Sequence, residues 1–170
     1  MDFTCKARWL KDVHRTPDST TPRYTGVVSC ESTLIAINYA AVMELDVMAA
    51  DIRNAYFQSP TPEKHYFICG PEFGTENMGK VELITILPHG GKLSGRDFWN
   101  QLRTCMNFLG FTPSLENTGV WCRKATKSNV SNYYDYALLY MDNCLVVSEN
   151  PVAILPEEIG KNFALKEYFI

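Results

Sequence analysis

Two acidic side chains that lie far apart in the sequence are the ones best suited to carry out chemistry. Asp51 follows a run of small and apolar residues, and Asp142 stands between two apolar segments, 136–141 and 144–147. A carboxylate at the end of a buried strand is costly unless it is paired or holds a metal ion. Two such acids that meet across a sheet could hold the two divalent ions of a phosphoryl-transfer reaction.

Each acid also has an explanation that involves no chemistry. An aspartate at the end of a strand is commonly solvated, which would account for Asp51. A two-residue Asp142-Asn143 turn between apolar strands is a hairpin signal, which would account for Asp142. The sequence alone leaves both explanations open.

Basic residues near the start of the chain could hold an anion. Residues 5–13 read as a strand in which Lys6 and Arg8 share one face. Two neighbouring cations suit a polyphosphate. They equally suit an edge strand that is protected from aggregation.

A turn rich in glycine offers a second place for a ligand. In residues 86–95 a predicted strand runs into Pro88-His89-Gly90-Gly91 and then into a helix. Glycine lets the backbone approach a ligand, and the start of a helix presents free N–H groups to an anion. A plain strand-to-helix turn explains the same pattern.

Three helices and several strands must position these residues, and the order of elements predicts an α+β fold. The first helix runs from Ser29 or Ser32 to about Glu44. The second, about 95–109, ends at Gly110. A third, about 151–164, should be kinked or split by Pro156. The predicted core stripe of the first helix consists of Leu34, Ile37, Ala41 and Leu45, widened by Ile35 and Val42.

Other turns and strands complete this prediction. We expect a turn at 59–62, a polar loop at 124–132, and strands at 66–69, 81–87 and 120–123. The second helix should direct Phe98, Trp99, Leu102, Met106 and Leu109 inward.

Composition predicts one soluble globular domain over residues 1–170, with 46% hydrophobic and 21% charged residues. No apolar run reaches the roughly 18 residues of a membrane span. The six cysteines are scattered without a Cys-x-x-Cys pair, which argues against a zinc knuckle and for an intracellular protein with reduced thiols. The net charge is −3, but basic segments (1–25, 91–130) alternate with acidic ones (26–90, 131–170).

Several short motifs occur in the order and spacing of a known family. They are Lys6-Ala7-Arg8, residues 46–57 with Ala55-Tyr56-Phe57 after the acid, residues 86–95 with Trp99, Leu109-Gly110-Phe111, and residues 139–143. Together they resemble the reverse transcriptase of copia-type retrotransposons over nearly the whole chain. The resemblance implies a polymerase palm-like antiparallel sheet with helices packed on one face, plus part of the fingers. It implies a piece of a longer polyprotein without the thumb, RNase H or integrase.

The resemblance also implies roles for single residues. Asp51 and Asp142 would be catalytic and would bind Mg²⁺ or Mn²⁺, with Asn143 beside them. Tyr56 would lie under the incoming sugar and select deoxynucleoside triphosphates. The remaining roles are triphosphate binding by Lys6 and Arg8, lining of the nucleotide pocket by His89 and Gly90, and contact with the template side by Lys92. The partners would be an RNA or DNA template with its primer.

Asn143 departs from the family, which has a second aspartate there. An amide supplies one oxygen but no charge to a dication, so we expect a loss of activity on the order of 10²–10³-fold. Two alternatives stay open. One is a decayed or co-opted palm that binds nucleic acid weakly. The other is an α+β domain with no role in nucleic-acid chemistry, which the acidic pI supports.

Overall fold

A computed structural model describes residues 26–86, 91 and 93–169. The predicted strand at 5–13 and residues 88–90 of the predicted turn at 88–91 lie outside these residues. The chain divides into two compact units. Of the described residues, one unit comprises 26–55 and 99–169, and the other comprises 56–86, 91 and 93–98.

The first unit is built on a six-stranded antiparallel sheet. Its elements are α1 (Cys30–Val42), β1 (Asp46–Ile52), β4 (Thr112–Pro113), β5 (Val120–Thr126), β6 (Asn132–Tyr140), β7 (Asn143–Ser148) and β8 (Leu165–Phe169). The strand order is β4-β5-β6-β7-β1-β8, and α1 lies against β1 and β7. Mixed helices and antiparallel sheets agree with the predicted α+β class.

The second unit contains a two-stranded antiparallel sheet. Its strands are β2 (Pro60–Ile68) and β3 (Val81–Ile86). The turn predicted at 59–62 was wrong, because β2 begins at Pro60, a residue tolerated at the first position of an edge strand. Helix α2 (Ser94–Phe108) follows β3 in the chain.

Helix α1 begins where the sequence predicts, but it packs through a different face. Ser29 caps the helix, and its hydroxyl accepts a hydrogen bond from the Ser32 amide at 3.2 Å. The predicted core stripe was wrong except for Leu45, which is buried. The predicted stripe residues that are exposed instead are Leu34, Ile35, Ile37, Ala41 and Val42.

Small residues form the packed face of α1 instead. Ala36 and Ala40 are 6% and 3% exposed, and they belong to one apolar cluster with Leu138 and Val147 of the sheet. The sheet supplies the large side chains here, so alanine on the helix allows a close approach with little empty space. The fit between small residues on α1 and large residues on the sheet therefore determines which face of the helix packs. A count of hydrophobic residues does not detect this fit.

The end of α1 carries a residue with unfavourable backbone geometry. Glu44 has a φ of 50°, and the Leu45 and Glu44 amides donate to the carbonyls of Ala40 and Ala41, as in a Schellman cap. A non-glycine residue in this conformation costs roughly 1 kcal/mol. We expect Glu44→Gly to raise the free energy of unfolding by roughly 0.5–1 kcal/mol in urea titrations. Glu44→Ala, which keeps the positive φ, should bring no such gain; an equal gain would contradict this account.

Helix α2 agrees with the prediction. The inward residues Phe98, Trp99, Leu102 and Met106 are at most 5% exposed. Gly110 has a φ of 81°, as expected of a residue that ends a helix. Among the described residues no helix is both long enough and apolar enough to cross a membrane.

The predicted C-terminal helix is broken up, as Pro156 suggested. A π-helical turn (Ala153–Glu158) leads into a 3₁₀ turn (Ile159–Lys161), and strand β8 follows. Strand β5 extends through Thr126, so the predicted polar loop is shorter than expected.

An arginine joins four segments of the first unit. Arg123 donates to Asp135 Oδ2 at 3.2 Å, to Glu158 Oε2 at 2.9 Å and to the Leu109 carbonyl at 2.9 Å. Its guanidinium also lies 4.5 Å from the centre of the Phe111 ring. Asp135 is nearly fully buried, so its charge depends on this partner.

Candidate active site

The two segments that carry the candidate acids meet in the sheet. Strands β1 and β7 pair antiparallel, and Asp51 stands directly opposite Asn143. Residues opposite each other in an antiparallel pair project to the same face, with Cβ atoms about 4.5–5.5 Å apart. The Ile52 amide donates to the Asp142 carbonyl at 2.7 Å. The backbone segments of Asp51 and Asp142 therefore meet at one end of the sheet.

The hairpin that carries Asp142 turns one residue earlier than predicted. The turn consists of Met141 and Asp142, while Asn143 already pairs with Tyr140 at the start of β7. Met141 has a φ of 55°, a conformation that fits the mirror-image turns of two-residue hairpins. The predicted Asp142-Asn143 turn was wrong because Asn143 pairs with β6 as the first residue of β7.

The amide of Asn143 is engaged with its neighbour. Its Nδ2 donates to Asp142 Oδ1 at 3.2 Å. The amide therefore satisfies part of the hydrogen-bonding capacity of the Asp142 carboxylate. Asp51 and Asp142 are both half-buried, so their charges are still accessible to water.

The other edge of β1 pairs in an irregular register. On this side Ala50 lies opposite Tyr168 and Ile52 opposite Leu165, with a bulge between them. Two steps along β1 thus correspond to three along β8, so the extra residue belongs to β8. Bulges of this kind strengthen the local twist and are frequent beside active sites.

A pocket of about 350 Å³ opens beside Asp51. Its polar side chains include Asp51, Asn143 and Tyr140, and the first turn of α1 contributes Cys30 and Thr33. The remaining lining is largely apolar and consists of Val28, Ala49, Ala50, Leu138, Cys144 and Leu145. The arrangement offers a carboxylate next to a space large enough for a small ligand.

The two cysteines of this pocket differ in environment. Cys30 is exposed at the first turn of α1, whereas Cys144 is 1% exposed. Burial, and secondarily the nearby Cys105 thiol, raises the pKa of Cys144 to about 12. Cys144 is therefore a neutral apolar packing residue at physiological pH.

The residues at this end of the sheet suit a hard cation only in part. No group of three or more His, Cys, Asp or Glu side chains that could hold a metal lies within residues 26–86, 91 and 93–169. Two carboxylates are nevertheless a usual protein share for Mg²⁺, which takes its other ligands from water and substrate phosphates. Asp51 and Asp142 fit that pattern, and Asn143 adds an uncharged oxygen.

Of the residues predicted for the site, Asp51 and Asn143 line this pocket, and Asp142 lies in the adjoining turn. Lys6, Arg8, His89, Gly90 and Lys92 lie outside the described residues. Tyr56 is half-buried in the second unit, where its ring meets Phe98 edge to face at 5.9 Å.

Sequence reasoning missed three polar lining residues of the pocket. Tyr140 belongs to the 139–143 motif, which gave it no role, and the hairpin register places it opposite Asn143. Cys30 and Thr33 carry no such signal, because their place depends on how α1 packs against the sheet.

Two known proteins are similar to this chain. They are the retrovirus-related Pol polyproteins from transposons RE1 and RE2 of Arabidopsis thaliana, each 22% identical over 148 residues. The matched region covers 85% of this chain but only 10% of each polyprotein, so the chain spans about a tenth of these relatives. No family model matches the chain, and no solved structure matches it. The chain is thus distantly similar to a segment of retrotransposon Pol polyproteins.

Proposed function

We propose that this chain is the fingers and palm part of a retrotransposon reverse transcriptase, an RNA-directed DNA polymerase that extends a primer with deoxynucleoside triphosphates. The antiparallel sheet would serve as the palm. The distant similarity to Pol polyproteins supports this choice of class. The polymerase activity is our inference from the residues at one end of the sheet.

One observation carries the proposal, namely the pairing that brings the segments of Asp51 and Asp142 together. Asp51 faces Asn143 across β1 and β7, and the Ile52 amide bonds to the Asp142 carbonyl. Polymerase chemistry depends on electrostatic positioning of phosphates between carboxylates that share divalent ions. Two acids from distant parts of the chain at one end of a sheet supply the protein's share of such a site.

The protein residues have separate tasks in this proposal. Mg²⁺ or Mn²⁺, when bound, would neutralise the triphosphate and lower the pKa of the attacking hydroxyl. Asp51 and Asp142 would hold and orient the ions with their carboxylate oxygens. Tyr140, which lines the same pocket, would present its ring and hydroxyl to whatever lies beside Asp51.

A second candidate is a palm that has lost catalysis and only binds nucleic acid. The Asn143 amide favours it, because it occupies an oxygen of Asp142 and brings no negative charge. Electrostatic binding through the basic segments would then remain, and it would weaken steeply with salt.

Primer extension on a poly-rA template with dTTP and Mg²⁺ tests the proposal. We expect slow extension by the wild-type chain and a loss of at least about 10²-fold in Asp51→Asn. Asp46→Asn is the matched control, because Asp46 is an exposed acid at the opposite end of β1. Equal rates in wild type and Asp51→Asn would refute the role of Asp51. A folded wild type that extends no primer but binds a primer–template duplex would favour the second candidate.

A further inference from the structure

Helix α1 presents a largely apolar ridge to solvent, with the exposed Asn38 among its side chains. Ile35 and Val42 are 68% and 80% exposed, and Leu34 and Ile37 are about half exposed. We call these four residues the α1 ridge. The ridge spans two turns, about 12 Å along the axis. Soluble monomers rarely expose contiguous apolar patches larger than a few hundred Å², and larger ones commonly mark interaction sites.

The charges at the two ends of the ridge are negative. Glu31 lies in the first turn of α1 and Glu44 just beyond its end, both exposed. The helix itself contains no lysine or arginine. Lys127 lies near the C-terminal end, but its ammonium is occupied by the Met43 and Glu44 carbonyls.

These features disfavour a second copy of this chain as the partner. In a two-fold antiparallel pair of α1 helices, Glu31 of each copy would approach Glu44 of the other, and like charges would repel. Two turns of one helix also fall well short of the roughly 800 Å² per partner of a stable interface, which suits a weakly bound helix better than a stable dimer.

We propose that the α1 ridge is a docking surface for an amphipathic helix with an apolar stripe and basic residues at both ends. The backbone groups of α1 are bonded within the helix, so only side-chain packing is available to a partner. A second helix laid along the ridge interdigitates with it at 8–10 Å. Its terminal lysines or arginines then meet Glu31 and Glu44. This inference does not rest on the proposed polymerase activity.

A pair of designed peptides tests the docking surface. Each has about 18 residues, long enough to be helical alone, and a leucine stripe. One carries lysines at both ends and the other glutamates. We expect the lysine peptide to bind the wild-type chain with a Kd on the order of 10 µM by calorimetry, and the glutamate peptide at least tenfold more weakly.

Substitutions in the chain locate the binding. Ile35→Ser with Val42→Ser should lower the affinity of the chain for the lysine peptide at least tenfold. Leu115→Ser is the control, at a loop residue that is 99% exposed, and it should leave this affinity unchanged. Glu31→Lys with Glu44→Lys should reverse the preference between the peptides. Equal affinity for both peptides, or binding that survives the ridge substitutions, would overturn the proposal. So would a wild-type dimer in sedimentation that these substitutions dissociate, because the partner would then be a second copy.

Discussion

Primer extension by Asn143→Asp is expected to be on the order of 10²–10³-fold faster than by the wild-type chain. Asn143 lies opposite Asp51 and donates a hydrogen bond to Asp142. An aspartate there replaces this donor with a carboxylate and adds a full negative charge where phosphates and divalent ions would meet. Charge-assisted contacts are roughly twice as strong as neutral ones, and phosphoryl transfer depends on them. Extension rates at saturating Mg²⁺ measure the change.

The same variant has a second signature that does not depend on catalysis. Without divalent ions, three carboxylates crowd one end of the sheet, so we expect Asn143→Asp to be less stable than wild type by about 1 kcal/mol. Mg²⁺ or Mn²⁺ should restore the loss, because an ion that binds only the folded state stabilises it. Asn100→Asp, on the exposed surface of α2, is the control for added charge. A variant that gains neither activity nor ion-dependent stability while folded would argue against a metal site here.

Replacing Arg123 with methionine is expected to lower the free energy of unfolding by about 3 kcal/mol. The substitution keeps much of the apolar stem but removes both bonds to Asp135, which stays buried with an uncompensated charge. It also removes the link to Glu158 and the cation above Phe111. Urea titration followed by tryptophan fluorescence measures the loss.

A double substitution separates the lost charge pair from lost packing. Arg123→Met with Asp135→Leu removes both charges, so it should recover most of the stability that the single variant loses. Arg103→Met, at an exposed arginine on α2, should change stability by no more than about 0.5 kcal/mol. If the double variant is as unstable as Arg123→Met, packing around the arginine stem is what matters.

Hydrophobic periodicity and the residues that cap or break helices predicted those parts of the fold that depend on local sequence. Ser29 caps α1, Gly110 ends α2, and Pro156 breaks the last helix. The packed face of α1 could not be predicted, because Ala36 and Ala40 were chosen by the large side chains of a sheet formed from distant segments. The exact position of the turn in the β6–β7 hairpin was also not predicted, because Asn143 pairs with β1 as part of strand β7.

The candidate site was predictable only in its acids. Asp51 and Asp142 attract attention because a charge ends or interrupts an apolar segment, and the sheet brings those segments together. The walls of the pocket were not predictable, since Cys30 and Thr33 come from a helix whose placement depends on tertiary packing. The metal-binding and catalytic roles of Asp51, Asp142 and Asn143 stay predictions, as do the roles of Lys6, Arg8, His89, Gly90, Lys92 and Tyr56.

The mismatched pairing of β1 with its two neighbours has a mechanical consequence. One edge follows an unbroken ladder with β7, whereas the other follows β8 with an extra residue. Shifting β1 by one residue would require its hydrogen bonds to β7 and to β8 to break together, because the register differs on the two edges of the strand. The backbone around Asp51 is therefore held from both sides. Single-residue deletions in β8 should therefore be far more damaging to stability than deletions in the 127–131 turn.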